Sequence, residues 1–477
     1  MPSLNVFNPF RRDMCLAAVF VGVAAYSAFF TYYLTMKHYA FRTLMFDLGL
    51  YDHWFWTAFK HGPAVAGVPH NSLTLYILLP FYALYPSPVT LIVLQSIIVP
   101  LAAIPLYLLA RLQLKDRMLA LLVTALFLLY PPLHGLSQFD FHVEMFLPPL
   151  ALTALYYLHM ESWRQYIIAS IIMLATMEYA AYIVLMMGVY HIIVYRKNLK
   201  LLIKMKPVSL KFSVAKNMLT GLVIIMLALA YFGSSTILSN MSLSVGNPTP
   251  GEGTFSLKNL EVMKEMKISY VCKIFGPVAF LPLLSPAPLL MALPWLVHIT
   301  FTTEPEYLKI FNQYSAFTAP FIFAGLISAF KKIGSRKVKV ALAVILIAAT
   351  IYFIMSTDEV AVSPWPNVGE RERLLNELVQ QIPPDAGVLT QNNIAPHLTE
   401  REKIFMWPLG ASAFGPKNLE DVDYILIDKS QYHYSYAPVP AGYPYDATRI
   451  AVEQLLSTGK YRMLVEEDGI EFYRRIG

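Results

Sequence analysis

The chain has 477 residues, of which 56% are hydrophobic and only 14% charged. A soluble globular protein carries about 25% charged residues, so the composition excludes an ordinary soluble enzyme. The net charge of +6 hides a split: residues 1–357 hold 13 acids and 26 bases, and residues 358–477 hold 18 acids and 11 bases, or +13 against −7. The bases form short runs between apolar segments, the pattern of cytoplasmic loops in membrane proteins rather than of a nucleic-acid surface. Membrane lipids are expected partners and nucleic acid is not.

Residues 14–36 are uncharged and long enough to cross a bilayer, too long for the apolar stretch of a cleavable signal. Arg11 and Arg12 place the N-terminus in the cytoplasm and Lys37 outside. The first external loop covers 37–88. Within it, 47–60 is aromatic and amphipathic and is expected to lie on the membrane interface. Residues 73–85 are apolar but short and interrupted by Pro80.

Residues 89–110 return to Arg111, Lys115 and Arg117; 118–133 go out and 145–160 come back, with an external loop at 133–145. Residues 165–195 carry one charge, Glu178, and the segment after them, from Arg196 to Lys216, has bases but no acid. Cytoplasmic charge on both flanks predicts a hairpin of two short helices with Glu178 near the tip. Such a backbone needs protein or water to cover it, so a polar cavity is implied.

Residues 218–239 lead to an external loop at 240–273. Residues 274–303 break at Ser285-Pro286-Ala287-Pro288 into two expected half-helices. An external loop at 303–316 precedes the last two spans, 317–330 and 340–357. Cys15 and Cys272 fall near opposite faces, so no disulfide between them is expected.

Residues 358–477 read as a soluble extracytoplasmic α/β domain, with strands at 387–390, 403–406 and 424–427 and helical periodicity at 369–381 and 447–459. The expected fold class is an all-α polytopic membrane protein of about ten to twelve hydrophobic helical segments with this small domain appended, located in the plasma membrane.

An ionisable group near a bilayer is costly and marks function by default. On this topology four polar clusters share the external face. Asp47, Asp52 and His53 open the interfacial helix; the alternative for Asp47 is an N-cap, and for the other two a solvated helix side. Asp140, His142 and Glu144 alternate onto one side of an extended segment, where they could hold a divalent cation or manage a proton, although a hydrated loop has the same spacing. Glu178 has no solvated face to sit on; its alternative is an ion pair or a protonated carboxyl. Glu304, Glu306, Tyr307, Asn312, Gln313 and Tyr314 suit hydrogen bonding to a polyol or an interfacial aromatic belt. The lack of a Walker A loop argues against ATP-driven transport by this chain alone.

Several stretches resemble a membrane family of unassigned reaction, domain of unknown function 2079. They are Phe-Asp-Leu-Gly-Leu-Tyr-Asp-His-Trp-Phe-Trp at 46–56, Leu-Pro-Phe-Tyr-Ala-Leu-Tyr-Pro-Ser-Pro at 79–88, Leu-Gln-Ser at 94–96 and Tyr-Pro-Pro at 130–132. They continue with Phe-Asp-Phe-His-Val-Glu at 139–144, Phe-Leu-Pro-Leu-Leu-Ser-Pro at 280–286, Gln-Tyr at 313–314 and Asp-Val-Asp-Tyr-Ile-Leu-Ile-Asp at 421–428. The chain departs from the family pattern at Val143, where proline is usual, and at Met177-Glu178-Tyr179, where a Lys-Glu-Asp run is expected.

That family is similar to the GT-C superfamily of glycosyltransferases, multi-span enzymes with an acidic motif in the first large external loop, many of which use polyprenyl-phosphate sugar donors. By this resemblance Asp47 occupies the acidic motif. The expected function is inverting transfer of a sugar from such a donor to a lipid, glycan or protein acceptor. Asp47 is the expected base, with Asp52 and Glu178 as further catalytic candidates. Asp140, His142 and Glu144 would hold the phosphate, or a divalent cation if one takes part. Glu178 and Gln313 would orient the sugar, Lys37 and Arg42 would face the phosphate, and His53 and Tyr314 complete the substrate-binding set. Two rival readings are a secondary transporter or flippase, suggested by broken helices around a lone acid, and a non-catalytic assembly protein.

Overall fold

The computed structural model describes residues 13–63, 69–204, 208–240, 256–356, 365–406, 421–431 and 447–476. Arg11 and Arg12, residues 241–255 of the expected outer loop, and the expected domain boundary at 357/358 lie outside the described residues.

The chain opens with α1, Met14–Tyr39, capped by Asp13, whose side chain accepts the amides of Cys15 and Leu16. A π-turn, Met45–Gly49, leads into α2, Leu50–His61. Then come α3, Leu75–Tyr82, α4, Pro88–Ile98, and α5, Ala103–Leu114. Next are α6, Arg117–Leu128, α7, Pro131–Gln138, and α8, Leu147–His159. The hairpin pair is α9, Trp163–Leu174, and α10, Ala180–Lys204, with Glu178 in the turn between them. The long α11, Val208–Asn240, packs against α10. The membrane part closes with α12, Lys264–Phe275, α13, Leu293–Phe301, α14, Ala319–Lys332, and α15, Arg336–Ser356.

Among the described residues, four helices are long and apolar enough to cross a membrane, or five if the bent pair α6 and α7 counts as one span. The window in Arg336–Met355 is 17% buried and that in Pro88–Leu114 is 56% buried. The first therefore presents its apolar surface outward, as lipid contact requires, while α4 and α5 run through the centre. Ion pairs register the ends. Asp13 meets Arg111 at 2.6 Å and Asp116 meets Arg336 at 2.5 Å, so the starts of α1, α6 and α15 and the end of α5 share one end of the bundle.

Two expectations are corrected here. Residues 274–303 do not form two half-helices: Gly276–Val278, Leu281–Leu284 and Ala287–Met291 are short 3-10 turns, and only α13 is a helix. Pro277, Pro282, Pro286 and Pro288 remove amide donors, and Ala279 and Phe280 take left-handed φ values of 48° and 56°, which no α-helix accommodates. The second concerns 47–60. This segment is not an open surface helix: Tyr51, Trp54, Phe55 and Trp56 are buried in the core of the helical bundle with Tyr82, Phe141 and Val143, and Asp52 is buried between Tyr82 and Thr399.

The C-terminal residues begin with α16, Glu370–Gln380, whose Glu372 side chain accepts the Gly369 amide at 2.8 Å. A five-stranded sheet follows, with β1, Val388–Thr390, β2, Ile404–Met406, β3, Tyr424–Asp428, β4, Tyr461–Glu467, and β5, Ile470–Arg475, in the order β2-β1-β3-β5-β4. β1 is parallel to β2 and β3; β5 is antiparallel to β3 and β4. The last helix, α17, Ala447–Ser457, precedes β4. The β4–β5 hairpin was missed from sequence, though its signal was there: Asp468 and Gly469, with φ of 53° and 79°, are the pair a tight two-residue hairpin turn demands. Phe41 and Met45 are buried in one core with Leu375, Leu378, Val388, Ile394 and Leu426, so the loop after α1 completes the core of the C-terminal unit.

Candidate functional site

The site grows from the end of α1. After Tyr39 the chain reverses through Phe41, which holds a left-handed φ of 54°. Leu44 then donates its amide to Asp140 Oδ2 at 2.7 Å, and Met45 donates its amide to Asn392. The π-turn Met45–Gly49 follows and carries Asp47. Gly49 lets the turn pack closely: a Cβ there would lie 2.6 Å from Met45 Sδ and 3.4 Å from Thr399 Cγ2, so the Met45 side chain would have to shift.

The second segment of the site is 139–144. Gln95, buried on α4, holds it with both ends of its carboxamide, donating to the Phe139 carbonyl at 2.8 Å and accepting the His142 amide at 3.0 Å. His142 is thereby aimed so that Nε2 meets Asp47 Oδ1 at 2.8 Å and Nδ1 meets Glu144 Oε2 at 3.1 Å. Burial opposes charge on the ring, but the carboxylates of Glu144 and Asp47 together outweigh it, and the His142 pKa is pushed up to about 10. Glu144 is held below its ordinary value despite its burial, chiefly by His142 and with a contribution from His70. His142 is thus an imidazolium donating to two carboxylates. Their side chains differ in exposure, 19% for Asp47 and 6% for Glu144. Asp47 is therefore the more accessible of the two to solvent.

Glu178 joins from the tip of the α9–α10 hairpin. Its Oε1 accepts Asn71 Nδ2 at 2.9 Å and its Oε2 lies 3.8 Å from His70 Nδ1. The same loop grips the tip through Ser72 Oγ on the Thr176 carbonyl at 2.5 Å. The buried Tyr51 phenol registers the convergence: burial raises its pKa, and Glu144, Asp47 and Glu178 all raise it further. The turn Gln313–Phe317 packs against the turn Val143–Phe146. Gln313 is buried with Oε1 lacking a partner among the described residues. Tyr314 stacks on Trp295 with ring centres 5.1 Å apart. Its phenol is pushed up by burial first, then by Tyr307 and by the carboxylates of Glu144 and Asp47.

The structure therefore brings Asp47, His142, Glu144, Glu178, Gln313 and Tyr314 to one region and gives the other candidates different posts. Asp140 does not line up with His142 and Glu144. It accepts Lys37 Nζ at 2.6 Å and the Leu44 amide, with its side chain 3% exposed. The chain turns into a 3-10 helix at Val143, which breaks the alternation expected for an extended segment. The expected cation cage of Asp140, His142 and Glu144 is accordingly not formed, and no group of three or more His, Cys, Asp or Glu among the described residues is arranged to hold a metal ion.

Lys37 likewise turns to Asp140 and the Gln138 carbonyl rather than outward. Asp47 is not an N-cap. Asp52 is fully buried and accepts Tyr82 Oη at 2.9 Å and Thr399 Oγ1 at 2.5 Å. Burial pushes its pKa up to about 8, the two hydrogen bonds opposing. His53 donates from Nδ1 to the Thr399 carbonyl at 2.9 Å. Asp52 and His53 face the C-terminal unit because a helix turns about 100° per residue, which carries them to the side of α2 away from Asp47. Arg42 remains half-buried just before the π-turn.

Sequence reasoning gave no role to Gln95, His70 and Asn71. Gln95 had a signal, a carboxamide in an otherwise apolar span. His70 and Asn71, both with φ near 51°, had none, because only the loop's fold aims them at Glu178.

No curated protein matches this sequence. Fourteen solved chains match the structure. One of them is the crystal structure of ArnT from Cupriavidus metallidurans in the apo state, at 12% identity and a TM-score of 0.54, covering 97% of this chain and 98% of that one. At that identity the likeness is one of fold, and the fold is GT-C-like. Residues 37–472 match the family described as predicted membrane protein (DUF2079), so the chain belongs to that family of multi-pass membrane proteins.

Proposed function

We propose that this protein is a membrane glycosyltransferase that takes a sugar from a polyprenyl-phosphate donor at the extracytoplasmic face and transfers it, with inversion, to a hydroxyl or amide acceptor. The observation that supports this most is the Asp47–His142–Glu144 arrangement on a GT-C-like fold. In the transfer, the acceptor heteroatom bonds to the anomeric carbon on the face opposite the phosphate. The bond from that carbon to the phosphate oxygen breaks, and its electron pair leaves with the polyprenyl phosphate. The acceptor proton passes to Asp47.

Each residue supplies one thing. Asp47 contacts His142 through Oδ1, so Oδ2 is directed to the acceptor. His142, pinned by Glu144, holds the Asp47 carboxyl group in place before substrate arrives, the preorganisation a general base needs. Glu178 and Gln313 supply acceptors for sugar hydroxyls; the Gln313 carbonyl is buried without a partner among the described residues, which costs free energy until a donor reaches it. Arg42 would face the donor phosphate.

The test is transfer of a labelled sugar from polyprenyl-phosphate donors in membranes carrying the wild-type chain or Asp47→Asn. Transfer by the wild type that disappears in the variant supports the reading. Equal transfer by both would remove Asp47 from the role of base.

A further inference from the structure

Two consecutive amides at the mouth of the Asp47 turn are held from opposite sides. Leu44 is held by Asp140, which Lys37 anchors from the end of α1. Met45 is held by Asn392, whose side-chain Oδ1 and main-chain carbonyl both lie 2.9 Å from its nitrogen. Asn392 belongs to a run of three carboxamides that follows β1. Gln391 ties the run to the end of β3 by accepting the Asp428 amide at 2.9 Å, and it donates to Asn393 Oδ1 at 2.8 Å. Asn393 in turn donates to the carbonyl of the left-handed Phe41 at 3.3 Å. Farther along, Thr399 holds Asp52 and His53 and touches the position above Gly49.

The location of this run is informative. In open α/β sheets, ligands bind outside the carboxyl ends of the parallel strands. Here β1 and β3 are parallel, and the loop leaving the carboxyl end of β1 is the one that grips the Asp47 turn. The C-terminal unit thus offers the edge where such folds recognise ligands to a segment of its own chain. That segment also completes the unit's core through Phe41 and Met45.

We infer that Asn392, Asn393 and Thr399 are positioning residues for Asp47: the C-terminal unit sets the angle at which the Asp47 carboxylate meets His142, and transfer requires the unit to be docked. The effect on sugar transfer rests on the function proposed above; the positioning of Asp47 does not, because it can be read without turnover. With Asn392 shortened, the Met45 amide keeps only a main-chain acceptor. With the Thr399 hydroxyl removed, Asp52 keeps only Tyr82 and the start of α2 keeps only the His53 bond to the Thr399 carbonyl, and the turn gains freedom.

The experiment uses the full chain in lipid nanodiscs, as wild type, Asn392→Ala, Asn392→Ala/Thr399→Val, and Asn392→Ala/Thr399→Ser. Hydrogen exchange is followed over residues 42–50, the ring-nitrogen signals of His142 are recorded, and kcat and KM for the lipid-linked donor are measured. The expected result is exchange over 42–50 faster by at least tenfold in the Val double variant, a shifted His142 signal, a kcat at least tenfold lower with KM nearly unchanged, and partial return of all three with Ser. Unchanged exchange and an unchanged His142 signal would overturn the inference, as would faster exchange with kcat intact. If the wild type transfers no sugar from any polyprenyl-phosphate donor, the proposed function fails, and the exchange and His142 signals alone then decide the positioning role.

Discussion

Asp47 and His142 stand 95 residues apart in sequence and 2.8 Å apart in space. The contact joins a π-turn that the C-terminal unit braces to the 139–144 segment that Gln95 holds from the centre of the bundle. Neither residue could be placed by its own neighbours. Their meeting separates two acids that look alike in sequence, Asp47 and Asp52.

Asp47→Asn should lower the transfer rate by about 10²–10⁴-fold, the range of general-base loss, and should lower Tm at pH 7, because one of the two carboxyl groups that favour the charged His142 ring is replaced. Asp52→Asn should leave the rate nearly intact, because Asn preserves hydrogen bonds to Tyr82 and Thr399. It should also change the pH dependence of stability. A carboxyl whose pKa rises from 3.8 unfolded to about 8 folded favours the fold most below 3.8, and that advantage is lost as pH rises through about 8. Melting curves between pH 6 and 9 should fall less steeply for Asp52→Asn than for wild type; identical slopes would contradict the buried-acid assignment.

His142 gives a second pH signature. Its folded pKa of about 10 lies above the unfolded 6.5, so its stabilisation is complete below 6.5 and fades as pH climbs toward 10. With about 1.4 kcal/mol for each pKa unit, the loss is on the order of a few kcal/mol. The Tm of His142→Gln should be lower than that of wild type at pH 7 and converge with it near pH 10. A constant gap across that range would show that the ring is not charged in the fold.

For Glu178, substitution by Gln keeps an acceptor for Asn71 and should preserve Tm. Its expected effect is on substrate: donor KM raised by about tenfold, equivalent to about 1.4 kcal/mol, with kcat less affected. Unaltered KM and kcat would leave Glu178 a tie between the hairpin and the 70–72 loop and nothing more.

Gly135 tests how the Gln313–Tyr314 turn is held. A Cβ there would fall 1.9 Å from the Ile310 carbonyl oxygen and 2.7 Å from Phe311 Cα, both backbone atoms that cannot swing aside. Gly135→Ala should destabilise the protein by about 1–3 kcal/mol, the usual cost of overpacking, and weaken substrate binding as the turn is displaced. A variant with wild-type Tm would mean that α7 and residues 310–311 are less tightly apposed than they stand here.

The sequence by itself determined the class of protein and the outline of its parts. Apolar runs of span length, basic runs between them, and the lone Glu178 in residues 165–195 prescribe a multi-pass bundle with a hairpin whose tip is polar, because bilayer and charge act on composition and order alone. Three strands and both helices of the C-terminal unit were legible from local periodicity, and Asp468-Gly469 would have added the hairpin. Tertiary structure decided everything that turns on direction. Asp52 and His53 left the site because α2 turns them toward Thr399; Asp140 became an anchor for Lys37 and Leu44; and His70 reached Glu178 through a loop with no sequence signal. Period and charge fix which residues sit near the membrane surface, but the partner of a side chain depends on contacts from distant segments, which no local pattern encodes.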